Sequence, residues 1–182
     1  SAMVGEGLLL SGQRVSFKGQ TATVSLLAQQ TLIERERLRD DSDLTDQVFQ
    51  GTPLVSLLNE DEPDPVRLEE LVKLFGMEAL LASGFRKLST GETRKALLIK
   101  ALASPAPLLM LDEPFVGLDT AASRMLMAEL ERIGKHKTIV LVMNHLPSVP
   151  AFITHYGYLE GGRLLFQGAL KDAMVGELLK RL

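Results

Sequence analysis

Two short segments of this 182-residue chain carry groups that suit phosphate chemistry. Leu88–Glu92 (Leu-Ser-Thr-Gly-Glu) offers a hydroxyl and free backbone N–H groups at the start of a predicted helix, where anions are favoured. Leu108–Pro114 has four apolar residues followed by Asp-Glu-Pro. Adjacent carboxylates at the end of a buried strand suit a magnesium ion and an attacking water. Together the segments indicate nucleotide hydrolysis.

The two carboxylates have different predicted roles. Asp112 could hold Mg²⁺, usually through water, at the carboxyl edge of a parallel sheet. Glu113 would orient and deprotonate the water that attacks the γ-phosphate. Pro114 disfavours helical dihedrals at Glu113, so we expect Glu113 to stay at the strand edge. A strand that merely ends in a polar turn is the weaker alternative for a run of this composition.

The segment from Ser89 to Glu92 also has a purely structural explanation. Ser-x-x-Glu is a capping box, in which the two side chains satisfy the first N–H groups of the following helix. That explanation does not account for Gly91, because glycine is a poor helix former. Capping and phosphate binding are compatible, and one buried helix separates this segment from Asp112.

Four further polar residues are candidates for the same site. Asp119 precedes a predicted helix, and helix capping is its alternative role. His145 follows the predicted strand Thr138–Met143 and could reach the γ-phosphate as a polarising donor. Gln29 and Gln30 end an early predicted strand, where either could contact the metal or the attacking water. A polar loop is the alternative for both, and the sequence does not choose between the two glutamines.

The elements that must position these residues alternate between strands and helices. Buried strands without polar alternation are typical of a parallel sheet covered by helices, so we predict a layered α/β fold. The charge-rich segment Thr31–Asp43 is predicted to be a solvated helix or loop face. The predicted strands are Gly12–Phe17, Thr21–Leu27, Leu108–Leu111, Thr138–Met143 and a hairpin of Tyr156–Leu159 with Arg163–Phe166; the predicted helices are Val66–Phe75, Gly91–Ala103, Thr120–Ile133 and Leu170–Leu182.

Composition narrows the class of protein. The chain is 46% hydrophobic and 24% charged, near the globular average. Its net charge of −3 and the absence of a dense basic stripe disfavour a general nucleic-acid surface, so no nucleic-acid partner is expected. It has no cysteine, which argues against a disulfide scaffold. No apolar run is long enough to span a bilayer and no signal peptide is present, so a cytoplasmic location is expected.

These segments, in this order, resemble the ABC-type ATPases. Leu88–Glu92 is similar to their LSGGQ signature, and Leu108–Glu113 to the Walker B strand with its catalytic glutamate. Gly117–Asp119 is similar to the D-loop, His145 to the switch histidine, and Gln29 or Gln30 to the Q-loop residue. Ser11–Val15 is similar to the segment after the Walker A helix of these proteins. Within the family, Arg86–Lys95 most resembles the molybdate-transport ATP-binding proteins with two tandem ABC units.

The resemblance implies a P-loop-NTPase-like parallel sheet core with an α-helical subdomain. Residues 44–86 would form the subdomain that normally meets a membrane partner, and residues 1–43 and 87–182 the α/β core. ATP and Mg²⁺ are the implied ligands, and a second ABC domain, in tandem or as a dimer, is the implied partner. The signature would then act in trans, on ATP held by that partner. A membrane permease subunit would place the protein at the inner face of the cell membrane.

The sequence departs from the family pattern in two ways. Thr90 and Glu92 replace the usual Gly and Gln of the signature, which adds a methyl group and a negative charge beside a phosphate site. The glycine-rich loop G-x-x-x-x-G-K-[ST] does not occur, and by the matching it should lie just before Gly5. We therefore expect residues 1–182 to be a partial ABC domain, truncated at its N-terminus and inactive alone.

Three other classes of protein compete with a transport ATPase. The C-terminal lobe of a chromosome-organising ATPase also carries a signature and a Walker B strand, but Gly76 and Gly84 interrupt any heptad pattern before Ser89. A tandem ABC protein without membrane spans would regulate rather than transport. A degenerate, purely structural domain is disfavoured by Asp112, Glu113 and His145.

Overall fold

The computed structural model describes residue 17 and residues 19–40, 48–144 and 150–170. Its strands are β1 (Thr21–Val24), β2 (Leu108–Asp112), β3 (Thr138–Val142), β4 (His155–Glu160) and β5 (Arg163–Ala169). Its helices are α1 (Leu26–Leu38), α2 (Leu54–Leu58), α3 (Pro65–Leu74), α4 (Thr90–Ala103) and α5 (Thr120–Ile133). The predicted strand Gly12–Phe17 and the predicted helix Leu170–Leu182 lie almost entirely outside the described residues.

Strands β1, β2 and β3 form a parallel sheet in that order. Leu111 is paired with Val24 on one side and with Leu141 on the other. Because all three strands run the same way, their carboxyl ends meet at one edge, where open α/β sheets bind ligands. The predicted α/β class with a parallel sheet is confirmed, and Asp112 lies at that edge.

One hydrophobic core joins the sheet to the helices. Ala22 and Val24 of β1 and Leu109 and Leu111 of β2 are buried. These alternate residues share one face, because side chains of a strand point to opposite sides in turn. The largest fully buried side chains of the helices are those of Leu54, Leu57, Leu58, Leu71, Leu98, Ile99, Leu102, Leu126 and Leu130.

Helix α4 is central to this core, which gives a test of its packing. Leu98 is completely buried, so Leu98→Ala should lower the free energy of unfolding by about 2–5 kcal/mol through lost transfer energy and a residual cavity. Leu38 on α1 is 89% exposed, and Leu38→Ala should change it by less than about 0.5 kcal/mol. Urea titration of both variants measures the difference. Equal midpoints would show that Leu98 is not packed as described.

The start of α1 corrects the predicted strand Thr21–Leu27. Strand β1 ends at Val24, and Ser25 caps a helix by accepting a hydrogen bond of 3.0 Å from the N–H of Ala28. Leu26 and Leu27 are more than half exposed. Leu26 and Leu27 extend the apolar run of the predicted strand, but the Ser25 side chain favours the start of a helix at this point.

The charge-rich segment after it is only partly solvated, contrary to its prediction. Helix α1 ends at Leu38, and Glu36 is 1% exposed. The carboxylate of Glu36 accepts hydrogen bonds from the N–H of Thr52 at 2.7 Å and from its hydroxyl at 2.9 Å. One acid of the run therefore fastens α1 to the segment that leads into α2.

Helices α2 and α3 lie between α1 and α4 in the chain. Asp64 caps α3 by accepting from the N–H groups of Val66 and Arg67, and Gly76 follows its end with a φ of +66°. Leu54, Leu57 and Leu58 of α2 are buried, whereas Val48, which precedes the helix, is 77% exposed. Two short 3₁₀ turns, Glu78–Leu80 and Phe85–Lys87, complete the segment before Ser89.

Ion pairs hold this helical segment against the rest of the chain. Arg67 of α3 pairs with the buried carboxylate of Glu129 on α5. Glu60, just after α2, pairs with Arg35 of α1 at 2.8 Å and with Lys100 of α4 at 2.6 Å. Desolvation raises the pKa of Glu60, but the hydrogen bonds and positive charges of Lys100 and Arg35 together lower it by more, so the pKa lies below its usual value.

Strands β4 and β5 form a separate antiparallel hairpin, longer than predicted, that turns at Gly161 and Gly162. Within the described ranges, no helix has the length and apolar character needed to cross a membrane.

Candidate functional site

Polar groups from all three parallel strands meet at their carboxyl edge. Asp112 is the exposed last residue of β2, and Ser25 and Asn144 follow the ends of β1 and β3. A cavity of about 780 Å³ opens beside them, and Thr23, Ser25, Asp112 and Val142 are part of its wall. The edge therefore presents an exposed carboxylate to a space large enough for a small ligand.

Glu113 occupies a strained turn next to Asp112. Its φ is +48°, in the left-handed region that costs a non-glycine residue about 1–3 kcal/mol. Its N–H donates to the carbonyl of Val142 at 2.9 Å, and its side-chain Oε1 accepts from the N–H of Asn144. Pro114 disfavours the right-handed helical region at Glu113, and the contacts with β3 select a left-handed turn directly after the end of β2. The carboxylate is thereby fixed between the ends of β2 and β3.

Arg94 of α4 is hydrogen-bonded to the backbone of the same turn. Its Nη2 donates to the carbonyl of Asp112 at 3.0 Å and to that of Glu113 at 2.6 Å. Burial lowers the pKa of Arg94, and the carboxylates of Asp112 and Glu113 oppose that effect. The sequence motifs did not single out Arg94. The available signal was a cation in a helix that is otherwise almost entirely buried.

The predicted capping box at Ser89 is formed. The Ser89 hydroxyl accepts from the N–H of Glu92 at 3.3 Å, and the Glu92 carboxylate accepts from the N–H of Ser89 at 2.7 Å and from its hydroxyl at 2.8 Å. The Ser89 backbone N–H, followed by the Ser89 hydroxyl, lowers the pKa of Glu92. Ser89 and Thr90 are exposed, so the start of α4 remains open to a ligand from outside the chain.

Helix α4 begins against the turn that follows Glu113. A Cβ added at Gly91 would lie 3.4 Å from the carbonyl oxygen of Gly117, a close but not prohibitive approach. Lys95 pairs with Asp119 at 3.7 Å. Asp119 also caps α5 through the N–H of Ala122 at 2.8 Å, which lowers its pKa. The alternative role foreseen for Asp119, helix capping, is thus present.

The remaining candidates are not brought to this edge by the described structure. Gln29 and Gln30 lie within α1 rather than at a strand end, because β1 stops at Val24. Ser25, Leu27 and Ala28 line the cavity beside Asp112, whereas neither glutamine does. His145, the candidate switch histidine, lies outside the described residues.

The acidic edge fits a magnesium ion of the kind bound together with phosphates. Among the residues that the structure describes, no three His, Asp or Glu side chains gather into a metal site. Mg²⁺ is typically held by one or two carboxylates while water and substrate phosphates complete its shell. The exposed carboxylate of Asp112 beside an open cavity meets that requirement.

Sequence comparison places these features in a known family. Residues 6–116 match the family described as ABC transporter. The chain is 36% identical to the ABC transporter ATP-binding protein ModF of Escherichia coli K12, across 97% of this chain and 38% of that protein. It is 31% identical to the molybdenum import ATP-binding protein ModC of Pectobacterium atrosepticum, across 63% of this chain and 33% of ModC. The chain thus spans about a third of the length of each of these two relatives.

The fold agrees with the family match. A dimeric ATP-binding cassette solved in a post-hydrolysis state with ADP and Pi has a TM-score of 0.59, with 19% identity over 85% of this chain and 64% of that one. Helix α3 ends at Leu74, and only two short 3₁₀ turns follow before Ser89. A chromosome-organising ATPase would instead need a long coiled-coil helix leading to this segment. The chain belongs to the ABC transporter family of ATP-binding proteins.

Proposed function

We propose that this chain is the part of an ATP-hydrolysing ABC subunit that supplies the catalytic base, a magnesium-binding carboxylate and a signature helix. The observation that carries the proposal is the position of Glu113. It stands in a left-handed turn at the carboxyl end of β2, where Val142 of β3 and Asn144, two residues beyond that strand, hold it by hydrogen bonds. Strained residues of this kind concentrate at functional sites.

In this proposal the two adjacent acids divide the work. Glu113 orients the attacking water and takes its proton, while Asp112 holds Mg²⁺ through water or directly. Mg²⁺, when bound, neutralises charge that develops on the phosphates. The cavity lined by Thr23, Ser25 and Asp112 supports the role of Asp112, because it leaves that carboxylate accessible to a ligand. Gln29 or Gln30 keeps its proposed role toward the metal or the attacking water, which would require the start of α1 to move toward the sheet edge. His145 keeps its proposed role toward the γ-phosphate.

The signature is proposed to act on nucleotide held by a second ABC domain. Ser89, Thr90, Gly91 and Glu92 start a helix whose first N–H groups and dipole favour phosphate. Asp119 lies beside this helix start. As the proposed D-loop residue, it would contact the same second ABC domain. The two exposed residues, Ser89 and Thr90, leave that surface open to another chain.

Transport is the proposed purpose of the hydrolysis. ModC is a molybdenum import protein, and its similarity supports molybdate or a related oxyanion as the solute. Residues 44–86 are proposed as the helical subdomain that meets a membrane permease, at the cytoplasmic face of the membrane. The match to 38% of ModF supports one ABC unit within a longer protein, which we take as the first of two in tandem.

The proposed function is tested with the full-length protein. We expect phosphate release from ATP that requires Mg²⁺ and is lost in EDTA. Membranes or vesicles containing the permease should take up labelled molybdate only when ATP is hydrolysed. Hydrolysis without any oxyanion uptake would support the regulatory alternative, and the absence of hydrolysis would contradict the whole proposal.

The charge of Glu92 gives a prediction about pairing. Glu92→Gln keeps an acceptor for the N–H of Ser89, so the capping box survives, but it removes a negative charge beside the proposed phosphate. We expect ATP-dependent association to tighten by roughly threefold to tenfold, since a partly screened like charge is worth on the order of 1 kcal/mol. Sedimentation with ATP measures this. Glu78→Gln, with the same change in net charge on an exposed turn, is the control; equal behaviour of the two variants would contradict the prediction.

A further inference from the structure

Arg94 is a buried charge whose role is not explained by packing. The residue is 5% exposed, and its Nε has no hydrogen-bond partner in the part of the chain that the structure describes. Burying a guanidinium with an unsatisfied donor is unfavourable, and apolar replacements of buried ionic groups are often neutral or stabilising. A requirement for stability alone would therefore be met as well by an apolar side chain.

The contacts of Arg94 point to the turn that carries the catalytic base. Its Nη2 reaches the carbonyls of two consecutive residues, Asp112 at 3.0 Å and Glu113 at 2.6 Å. Both bonds are to the backbone, so they restrain the orientation of the peptide planes rather than the carboxylates. The plane between Asp112 and Glu113 is the one that sets φ at Glu113, the residue held at +48°.

Glu113 is restrained on its other side by β3. Its N–H is bonded to Val142 and its carboxylate to the N–H of Asn144. Without a donor on the α4 side, the left-handed turn would be free to relax toward the extended conformation that residues before proline prefer. That relaxation would swing the carboxylate away from Asn144.

From this geometry we infer that Arg94 is a positioning residue, which holds Glu113 in its hydrolytic orientation by clamping the carbonyls of Asp112 and Glu113. The inference rests on the proposed function of Glu113 as the base. Arg94 lies on the second turn of α4, whose first turn carries Ser89 and Gly91. The helix that offers the signature to one nucleotide thus also sets the carboxylate that serves the chain's own nucleotide. The close approach of Gly91 to Gly117 and the Lys95–Asp119 pair keep the two segments together.

The test compares Arg94→Met with the wild type in the full-length protein. We expect kcat for ATP hydrolysis to fall by about 10- to 100-fold, the cost of misplacing a catalytic group by about 1 Å, while KM stays within about threefold. Arg94→Lys retains a cation able to donate to the carbonyls and should recover kcat to within about fivefold of the wild type. If Arg94 only stabilised the fold, its substitution would lower the melting temperature. The kcat measured at temperatures below that melting temperature would then equal the wild-type value.

A second readout does not depend on activity. Amide hydrogen exchange at Glu113 and Asn144 should accelerate by about tenfold or more in Arg94→Met, because local opening of the turn becomes easier. Exchange at Val140, in the centre of β3, should stay unchanged. If the wild type hydrolyses no ATP, the proposed function fails, and this exchange measurement still decides whether Arg94 holds the turn.

Lys137→Met is the matched control. Lys137 is a partly buried cation that donates to the backbone carbonyl of Ser104, and burial lowers its pKa, but it lies at the opposite edge of the sheet from Glu113. The Lys137→Met variant should have the wild-type kcat and the wild-type rate of amide exchange at Glu113. If Arg94→Met does not fold, Arg94→Gln, whose shorter amide cannot span both carbonyls, gives the same readings. Wild-type kcat in a folded Arg94→Met or Arg94→Gln protein overturns the inference.

Discussion

Glu113→Gln in the full-length protein should lower ATP turnover by about 10²- to 10⁴-fold, the usual contribution of a general base. Glutamine keeps an oxygen that can accept from the N–H of Asn144, so the turn and its hydrogen bond can persist. What is lost is the ability to take a proton from the attacking water. ATP binding and pairing of the two domains should therefore survive while hydrolysis stops.

Two measurements separate these effects. Phosphate release gives turnover, and size-exclusion chromatography with Mg²⁺ and ATP should show a paired, ATP-loaded species that is longer-lived than in the wild type. Glu131→Gln, an exposed position on α5, makes the same change in charge and should behave as the wild type does. Unchanged turnover in Glu113→Gln would remove Glu113 from the role of base and leave the strained turn without a catalytic explanation.

The second large effect concerns nucleotide affinity. The 182-residue chain alone should bind ATP with a Kd weaker than about 1 mM, which corresponds to a binding free energy smaller in magnitude than about 4 kcal/mol. In P-loop proteins the backbone N–H groups and the lysine of G-x-x-x-x-G-K-[ST] supply most phosphate contacts, and this sequence does not contain that pattern. The start of α4 and Asp112 cannot replace them from the same chain if the signature acts in trans.

Isothermal titration calorimetry with Mg²⁺ and ATP measures this affinity. A longer version of the protein that does contain a phosphate-binding loop is the comparison, and we expect a micromolar Kd for it, a difference of about a thousandfold. Micromolar binding by the 182-residue chain would show that the phosphates are held by groups other than those proposed. It would also weaken the assignment of Ser89 to a partner's nucleotide.

The elements closest to the site could be predicted from the sequence, because their signals are local. The apolar run before Asp112 predicted β2, and Ser-x-x-Glu predicted the capping box that begins α4. Asp119 was placed correctly ahead of α5 for the same reason. Each of these patterns is complete within a few residues, so the chemistry of the segment decides the outcome without help from the rest of the fold.

Boundaries were less predictable where two local preferences compete. The β-type run Thr21–Leu27 continues past the point at which the Ser25 hydroxyl caps a helix. The cap and the packing of α1 against β1 decide in favour of the helix, and this moves Gln29 and Gln30 away from the sheet edge. The burial of Glu36 was also not predictable from its own segment, because it depends on two hydrogen bonds from Thr52, sixteen positions later.

The sequence by itself determined which groups this protein has for phosphate chemistry: two acids after a buried strand, a serine at a helix start, and their order along the chain. The tertiary structure decided how the acids are held. The left-handed turn at Glu113 depends on β3 on one side and on Arg94, nineteen positions upstream, on the other. Such contacts join segments that are distant in sequence, and no local propensity encodes them because the strain of the turn is balanced only in the folded chain.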